Sequence, residues 1–556
     1  MFTKLSAILG WSIALSGAVA NAADLKVDVG YAVYQGGKEA SGLNVWKGIR
    51  YATAPRWKAP QIPATNRTIV SATTLGAQCP QAFPSVPNAP FLPGDEDCLF
   101  LNVFAPANTP VGTLPVLVWF HGGGYGLGAG NQDMTEIINA NNNGFVAVSV
   151  QYRLGAFGWL SSAEVKNKGV VNAGLLDMIA SLGWIQKYIT KFGGDPRKVT
   201  ITGESAGAGA IMLLSMAFGG QLGTSLFRNG ISASTYLPPQ YNYDAAIPTA
   251  RYNDFAAKAG CVGVADVFNC LVSKDSMTLQ KANNDVSISQ AYGTWGFVPV
   301  TDGQVIQSLP SAQLKAKRVN GAAILVGNNA NEGALFAPQE AINTVDDLKN
   351  WLKDVYPTFN DAQVQQVLDA YPSTEKPVNP NDLKFATNGL GPATAVNVSQ
   401  VATGQQQRAY NIYAEATFIC PGYWLNTAFP TSRSFHYQYS VPFASHGDDQ
   451  TGYFGPATPN QGPLFTAAFR KIWGSFVMNS VPVSSPAFPT WEGNKMMNLN
   501  QTGGTPYEKI QFGTNVTQYM EPGLKNAFSV VDAYTWEGRR GKRCEFWRNM
   551  AVKVPM

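Results

Sequence analysis

One stretch limits what this chain can fold into more than any other: Val199-Thr200-Ile201-Thr202-Gly203-Glu204-Ser205-Ala206-Gly207-Ala208-Gly209-Ala210. It begins as an apolar, β-branched run, which reads as a buried strand. It passes through Gly-x-Ser-x-Gly and continues through Ile211 to Leu214 as a small-residue helix. A serine at such a strand–turn–helix corner sits on a sharp, strained turn with its hydroxyl exposed. The glycines let strand and helix backbones crowd together behind Ser205. The helix N-terminus just beyond it stabilises developing negative charge. The five-residue pattern alone is weak in a chain with 55 glycines. Its meaning depends on a base, an acid and a loop of free amides elsewhere.

Size and composition narrow the class. The chain has 556 residues, 45% of them hydrophobic, enough for a large core. Charged residues are 14% and the formal net charge is +4, with no basic block, so no nucleic-acid partner is expected. Lys4, the apolar run Leu5 to Ala20 and Ala20-Asn21-Ala22 form a secretory signal pattern over residues 1–22. Residues 23–556 then read as one catalytic domain with large insertions. No other stretch is long and apolar enough to span a bilayer, so a secreted chain without stable membrane insertion is expected. Six cysteines in an oxidising compartment allow three disulfides. Sequence proximity suggests Cys79–Cys98 and Cys261–Cys270, leaving Cys420–Cys544. Asn66, Asn397, Asn500 and Asn515 are glycosylation sequons.

Along the chain, Leu25 to Tyr34 and Leu43 to Tyr51 read as antiparallel strands joined through Gly36-Gly37, followed by a long irregular, proline-rich segment. Leu114 to Phe120 and Phe145 to Tyr152 are continuous apolar runs. Ala173 to Phe192 has helical spacing and stops at Gly193-Gly194. Further strands are expected at Phe227 to Ser232, Ala322 to Gly327 and Ser434 to Tyr439, and a surface loop at Pro372 to Asp382. Apolar strands alternating with helices indicate a mostly parallel sheet covered on both faces.

A serine hydroxyl needs a base to become a nucleophile. The chain has three histidines, His121, His436 and His446. His121 opens His121-Gly122-Gly123-Gly124-Tyr125 directly after a strand, a loop whose amides can approach a ligand oxygen. His436 lies within an alternating strand and reads as structural. His446, in Ala444-Ser445-His446-Gly447-Asp448-Asp449, follows that strand in a polar loop, where a base belongs. The acid lies between the serine and the histidine in this chain order. Glu332, after the buried run Ala323 to Gly327, is the candidate; Asp302, in Thr301-Asp302-Gly303, is its rival. Three histidines, one in the glycine loop, leave no cluster for a metal ion. Neither metal nor cofactor is expected.

These motifs occur in the order found in type-B carboxylesterases and lipases, the family of cholinesterases and certain fungal lipases, which the chain resembles from residue 96 to 446. Glu96-Asp97-Cys98-Leu99-Phe100-Leu101-Asn102-Val103, His121 to Tyr125, and Lys191-Phe192-Gly193-Gly194-Asp195-Pro196 carry the resemblance. So do Gly203 to Gly207, Phe297 to Gly303 and Asn331-Glu332-Gly333. It implies an α/β-hydrolase fold and hydrolysis of a small-molecule ester through an acyl-enzyme. It implies Ser205, Glu332 and His446 as catalytic residues and Gly123, Gly124 and Ala206 as oxyanion donors. The two short disulfide pairings match family loops.

Departures from the family bear on substrate. The loop Pro80 to Asp97 carries Pro80, Pro84, Pro87, Pro90 and Pro93, and proline limits motion. Closing a loop of this size with a disulfide adds roughly 3 kcal/mol. A short, stiff loop favours an esterase on dispersed esters over a lipase with a swinging flap. The loop holds Phe83 and Phe91 but no tryptophan for a choline cation. Trp295 falls either in an acyl-pocket wall or in the core. Glu204 supplies either a negative field or a salt bridge. A lipase or sterol esterase and a non-catalytic binding module of the same fold are the alternatives. The natural ester and the oligomeric state are not legible.

Overall fold

The computed structural model describes residues 25–107, 109–372 and 399–556. The signal pattern, Asn397 and all but the first residue of the expected Pro372 to Asp382 loop lie outside the described residues. The main sheet has 11 strands: β1 (Gly37–Lys38), β2 (Leu43–Arg50), β3 (Phe100–Pro106), β4 (Leu114–Phe120), β5 (Val146–Val150) and β6 (Gly194–Glu204), then β7 (Asn229–Ala233), β8 (Ala323–Asn329), β9 (Ser434–Tyr439), β10 (Lys495–Leu499) and β11 (Ser529–Asp532). Their spatial order is β11-β10-β9-β8-β7-β6-β4-β5-β3-β2-β1. Strands β4 to β10 pair in parallel. Antiparallel strands finish both edges.

The central strands read as continuous apolar runs because both of their faces are covered. Alternate residues divide between two cores. Val116, Val118 and Phe120 join Val199, Ile201, Ile324 and Val326 on one face, under the helix Ala173–Tyr188 with Leu175, Met178, Leu182 and Ile185. Leu117 and Trp119 join Ile231, Leu325, Phe435 and Tyr437 on the other, under the helix Pro463–Asn479 with Phe469, Ile472, Trp473 and Phe476. This is the doubly covered sheet of the α/β-hydrolase fold. Cys79–Cys98, Cys261–Cys270 and Cys420–Cys544 are bonded.

Two expectations need correcting. The run Leu25 to Tyr34 is not one strand: it folds back through Gly30, at φ +86°, into a small hairpin of Lys26–Asp28 against Val33–Gln35. Only Gly37–Lys38 then pairs with β2. The proline-rich segment after Tyr51 also contains β3, one of the buried strands. Asn102 masks it in the sequence by interrupting the apolar run. In the fold its side chain is satisfied from both sides, accepting from the Gly48 amide at 2.8 Å and donating to the Gly130 carbonyl and, at 3.1 Å, to Ser149 Oγ.

Arg153, just beyond β5, is tied to the helix Ala173–Tyr188 by a two-pronged ion pair. Its Nε and Nη2 each lie 2.7 Å from Asp177, and both side chains are buried. Removing one member leaves the other charge buried and uncompensated. Asp177→Ala is expected to lower unfolding free energy by about 3–5 kcal/mol in denaturant titration. A loss under about 1 kcal/mol would mean that the freed arginine finds water.

Candidate active site

Four strand ends meet at the carboxyl edge of the sheet. After β6, Ser205 adopts φ +56° and ψ −123°, outside the regions an L-residue favours. The corner is held by close backbone contact. A Cβ added to Gly203 would fall 2.3 Å from the Gly207 carbonyl carbon, and one on Gly207 would fall 2.1 Å from the Phe120 carbonyl oxygen. Both positions therefore exclude side chains. The helix Ala206–Met216 starts directly after Ser205. After β4, Gly123 and Gly124 take positive φ of 101° and 61°, and Gly122 packs against the Ser205 corner. Among the described residues, the amides of Gly123, Gly124 and Ala206 donate to no protein acceptor. Three amides without a protein acceptor thus lie in the loop that packs against the Ser205 corner and in the helix end that follows it.

After β9, His446 reaches back to the same point. Its Nε2 lies 2.9 Å from Ser205 Oγ, and its Nδ1 lies 2.5 Å from Glu332 Oε2. Glu332, after β8, is fully buried and its other oxygen accepts from Ser234 Oγ and the Asn329 amide, both at 2.6 Å. The loops that carry the acid and the base are joined by the Asn331 amide donating to the Ala444 carbonyl at 2.9 Å. Ser205, His446 and Glu332 therefore form a continuous hydrogen-bonded row. Asp302 is not part of it: it accepts from Asn172 Nδ2 and from the Gln304 and Ile306 amides, closing its own turn. His436 is enclosed between Asn426 and Asn328. His121 stacks on Tyr152 at 4.4 Å.

Glu204 forms an ion pair with the base itself when that base is protonated. Its Oε1 lies 3.3 Å from His446 Nε2, and its Oε2 accepts from Gln450 Nε2 at 3.0 Å. Burial pushes its carboxyl up to about 8, against the pull of the His446 charge. Burial also drives the imidazole of His446 down. The Glu204 and Glu332 carboxylates outweigh that and raise it to about 9. Burial lifts Asp449 to about 7, aided by the charge of Glu332.

Aromatic rings enclose this row, and the sequence carried no local signal for most of them. Phe418 and Phe336 lie 4.4 and 4.9 Å from the His446 ring. Phe418 belongs to a wide turn, Glu415–Ile419, between the helices Gly404–Ala414 and Cys420–Ala428. Such π-type turns recur at functional sites. Glu415 fixes it, accepting from Arg543 Nε and Nη2 at 2.7 Å and from Tyr371 at 2.8 Å. Trp295 is buried in the larger core and also lies flat against the glycine loop, where a Cβ on Gly124 would meet its indole at 2.1 Å. Of the two readings of that residue, its burial bears out the core one. The Cys79–Cys98 loop is pinned: Ala82 to Gly126, Phe83 to Asn284, Ser85 to Thr294 and Gly94 to Gln280, by bonds of 2.8–3.1 Å. No group of three or more His, Cys, Asp or Glu among the described residues is placed to hold a metal ion.

Burial lowers His121 to about 4 and His436 to about 3, leaving one histidine to titrate above its ordinary value. NMR of ring-labelled histidine from pH 5 to 10 is expected to show a single moving resonance. Glu204→Gln removes a carboxylate that holds the proton on His446, so that midpoint shifts to lower pH. An unmoved midpoint would separate the two groups electrically.

The family model described as "Carboxylesterase family" matches residues 27–547. The chain is 30% identical to Lipase 2 of Geotrichum candidum over 470 residues, 79% of this chain and 78% of that one. It is 31% identical to Secreted lipase 1 of Botryotinia fuckeliana over 521 residues, 84% and 88% of the two chains. The crystal structure of Aspergillus niger EstA superposes with a TM-score of 0.77 at 25% identity, covering 96% of this chain and 99% of that one.

Proposed function

Since this chain belongs to the carboxylesterase family and is a carboxylic ester hydrolase, we propose that it is a secreted serine esterase whose row Ser205–His446–Glu332 forms an acyl-enzyme. The observation that carries this is the row itself, 2.9 and 2.5 Å between partners, with three amides in the adjoining loop and helix end that have no protein acceptor among the described residues. His446 takes the Ser205 proton as the oxygen attacks the ester carbonyl. The tetrahedral oxyanion is held by the amides of Gly123, Gly124 and Ala206 at a helix N-terminus. His446 then protonates the departing alcohol, and later activates the water that releases the acid. Glu332 fixes the imidazole tautomer through Nδ1 and stabilises its charged form. No cofactor enters these steps.

Secretion is supported by the signal pattern at residues 1–22, the three disulfides and exposed sequons at Asn66 and Asn515. Asn500 is half-buried. Residues 23–556 are proposed as one catalytic domain, with the sheet and both cores contributing to a single site. Among the described residues no helix is long and apolar enough to cross a membrane.

The pinned Cys79–Cys98 loop favours dispersed esters over a lipid surface, although several relatives are named lipases. A flap that opens at an interface must exchange its contacts cheaply. This one is held by a disulfide and by hydrogen bonds to two separate segments. Rates on a short-chain triglyceride are therefore expected to rise smoothly through its solubility limit. A jump at the onset of emulsion would favour the lipase reading.

Ser205→Ala is expected to lower turnover of a short p-nitrophenyl ester by about 10⁶-fold, as loss of a serine nucleophile does, with an unchanged melting temperature. A fluorophosphonate is expected to label the wild type and not the variant. Labelling that survives the substitution would identify another nucleophile and overturn the assignment.

A further inference from the structure

A cavity of about 310 Å³ lies against the aromatic wall of the site but does not include the reacting groups. Tyr236, Tyr241, Arg251, Trp295, Tyr413 and Thr417 line it; Ser205, His446 and the glycine loop do not. Trp295 is therefore a shared wall, with the glycine loop against its indole and the cavity beside it.

Arg251, on the helix Ala246–Lys258, is the unusual member. It is half-buried, and its single described hydrogen bond runs from Nη1 to the Gly296 carbonyl at 3.0 Å. No carboxylate lies within ion-pair distance of it among the described residues. A guanidinium has five N–H donors in a rigid planar fork. Four of them have no protein acceptor among the described residues. Burial weakens its hold on the proton, with Tyr241, Tyr236 and Asp254 opposing. A half-buried guanidinium of this kind suits a planar oxyanion, which the fork engages at two points.

The remaining walls restrict what can carry that oxyanion. Tyr236, Tyr241, Trp295 and Tyr413 are flat and mostly apolar, and suit a ring. Asp254 and Asp354 sit exposed at the rim. Two negative charges there tolerate a monoanion better than a phosphate dianion. The volume is at the small end for organic ligands.

We propose that this cavity binds a free aromatic carboxylate, with its carboxylate on the Arg251 guanidinium and its ring among Tyr236, Tyr241 and Trp295. The cavity does not include the hydrolytic groups, and it meets their aromatic surround through Trp295, Tyr236 and Tyr413, the last of which stacks on Phe336 at 5.4 Å.

Calorimetric titration of the whole enzyme with benzoate tests this. A molecule of that size is expected to bind with a Kd on the order of 1 mM. Benzamide, flat but uncharged, is expected to bind at least about tenfold more weakly, a difference of roughly 1.4 kcal/mol. Arg251→Gln is expected to weaken benzoate by a similar factor, to leave benzamide unchanged, and to leave turnover of p-nitrophenyl acetate near the wild-type value. Arg251→Lys, which keeps the charge but loses the fork, is expected to fall between them. Benzoate affinity is expected to survive phosphylation of Ser205 by diethyl p-nitrophenyl phosphate. Equal binding of benzoate and benzamide, indifference to Arg251→Gln, or no saturable benzoate binding would overturn the proposal. So would loss of binding on phosphylation, which would move the ligand into the hydrolytic pocket. Should Ser205 fail to react at all, the hydrolytic assignment falls while the titration of unmodified enzyme still decides this one.

Discussion

The contact on which the structure depends is the crossing of β6 and the helix Ala206–Met216 at Gly203 and Gly207. Neither position has room for a Cβ, and what blocks it is backbone rather than a movable side chain. The strand and the helix must therefore cross at this distance, and the residue between them must turn through a disfavoured φ. That turn lifts Ser205 out of the sheet and puts the free amide end of the helix beside it. The β4 loop is tied into the same contact, because Gly207 faces the Phe120 carbonyl and Gly122 faces Ser205. Nucleophile and glycine loop are thus positioned by one packing constraint rather than by two independent loops.

Much of this was legible locally. The apolar run Leu114–Phe120 and the alternating run Ser434–Tyr439 are strands at the residues where those patterns begin and end. With only three histidines and one of them in a glycine loop, the chain offers few candidates for the base. Glu332 was marked by the buried run before it. What the sequence hides is contact made at a distance. Phe418 and Phe336 carry no mark of touching His446, because aromatic residues make up 12% of the chain and most are core. Strand β3 was obscured by Asn102, a polar residue that only tertiary partners make acceptable in a core. The run at Leu25 to Tyr34 reads as one strand because its apolar residues conceal the turn at Gly30.

The distant C-terminal segment enters the site by this kind of contact. Arg543 and Arg540 converge on Glu415, and Cys544 is bonded to Cys420. The two links bracket the wide turn that carries Phe418. A turn with i→i+5 bonding is poorly stabilised by its own backbone, so the buried ions and the disulfide fix it from outside. The ring against the imidazole is held by residues more than a hundred positions later in the chain.

The charges around His446 set the cost of this arrangement. Glu204, Asp449 and His446 each hold a proton more tightly in the folded chain than in an unfolded one, where carboxyls titrate near 4 and histidine near 6.5. Glu204 and His446 share a short contact, so their protons belong to the pair rather than to either residue. The sign is the same for every member. Between the ordinary carboxyl value and about 9 the native state binds more protons than the unfolded state. Stability drawn from the cluster therefore falls as pH rises through that range. A base is useful only once it is neutral, so the site works where its own electrostatics favour the fold least. The close-packed elbow, both cores and the disulfides make that tolerable, because they do not titrate there. A catalytic imidazole surrounded by buried carboxyls needs a scaffold whose stability comes from elsewhere, and the doubly covered sheet supplies one.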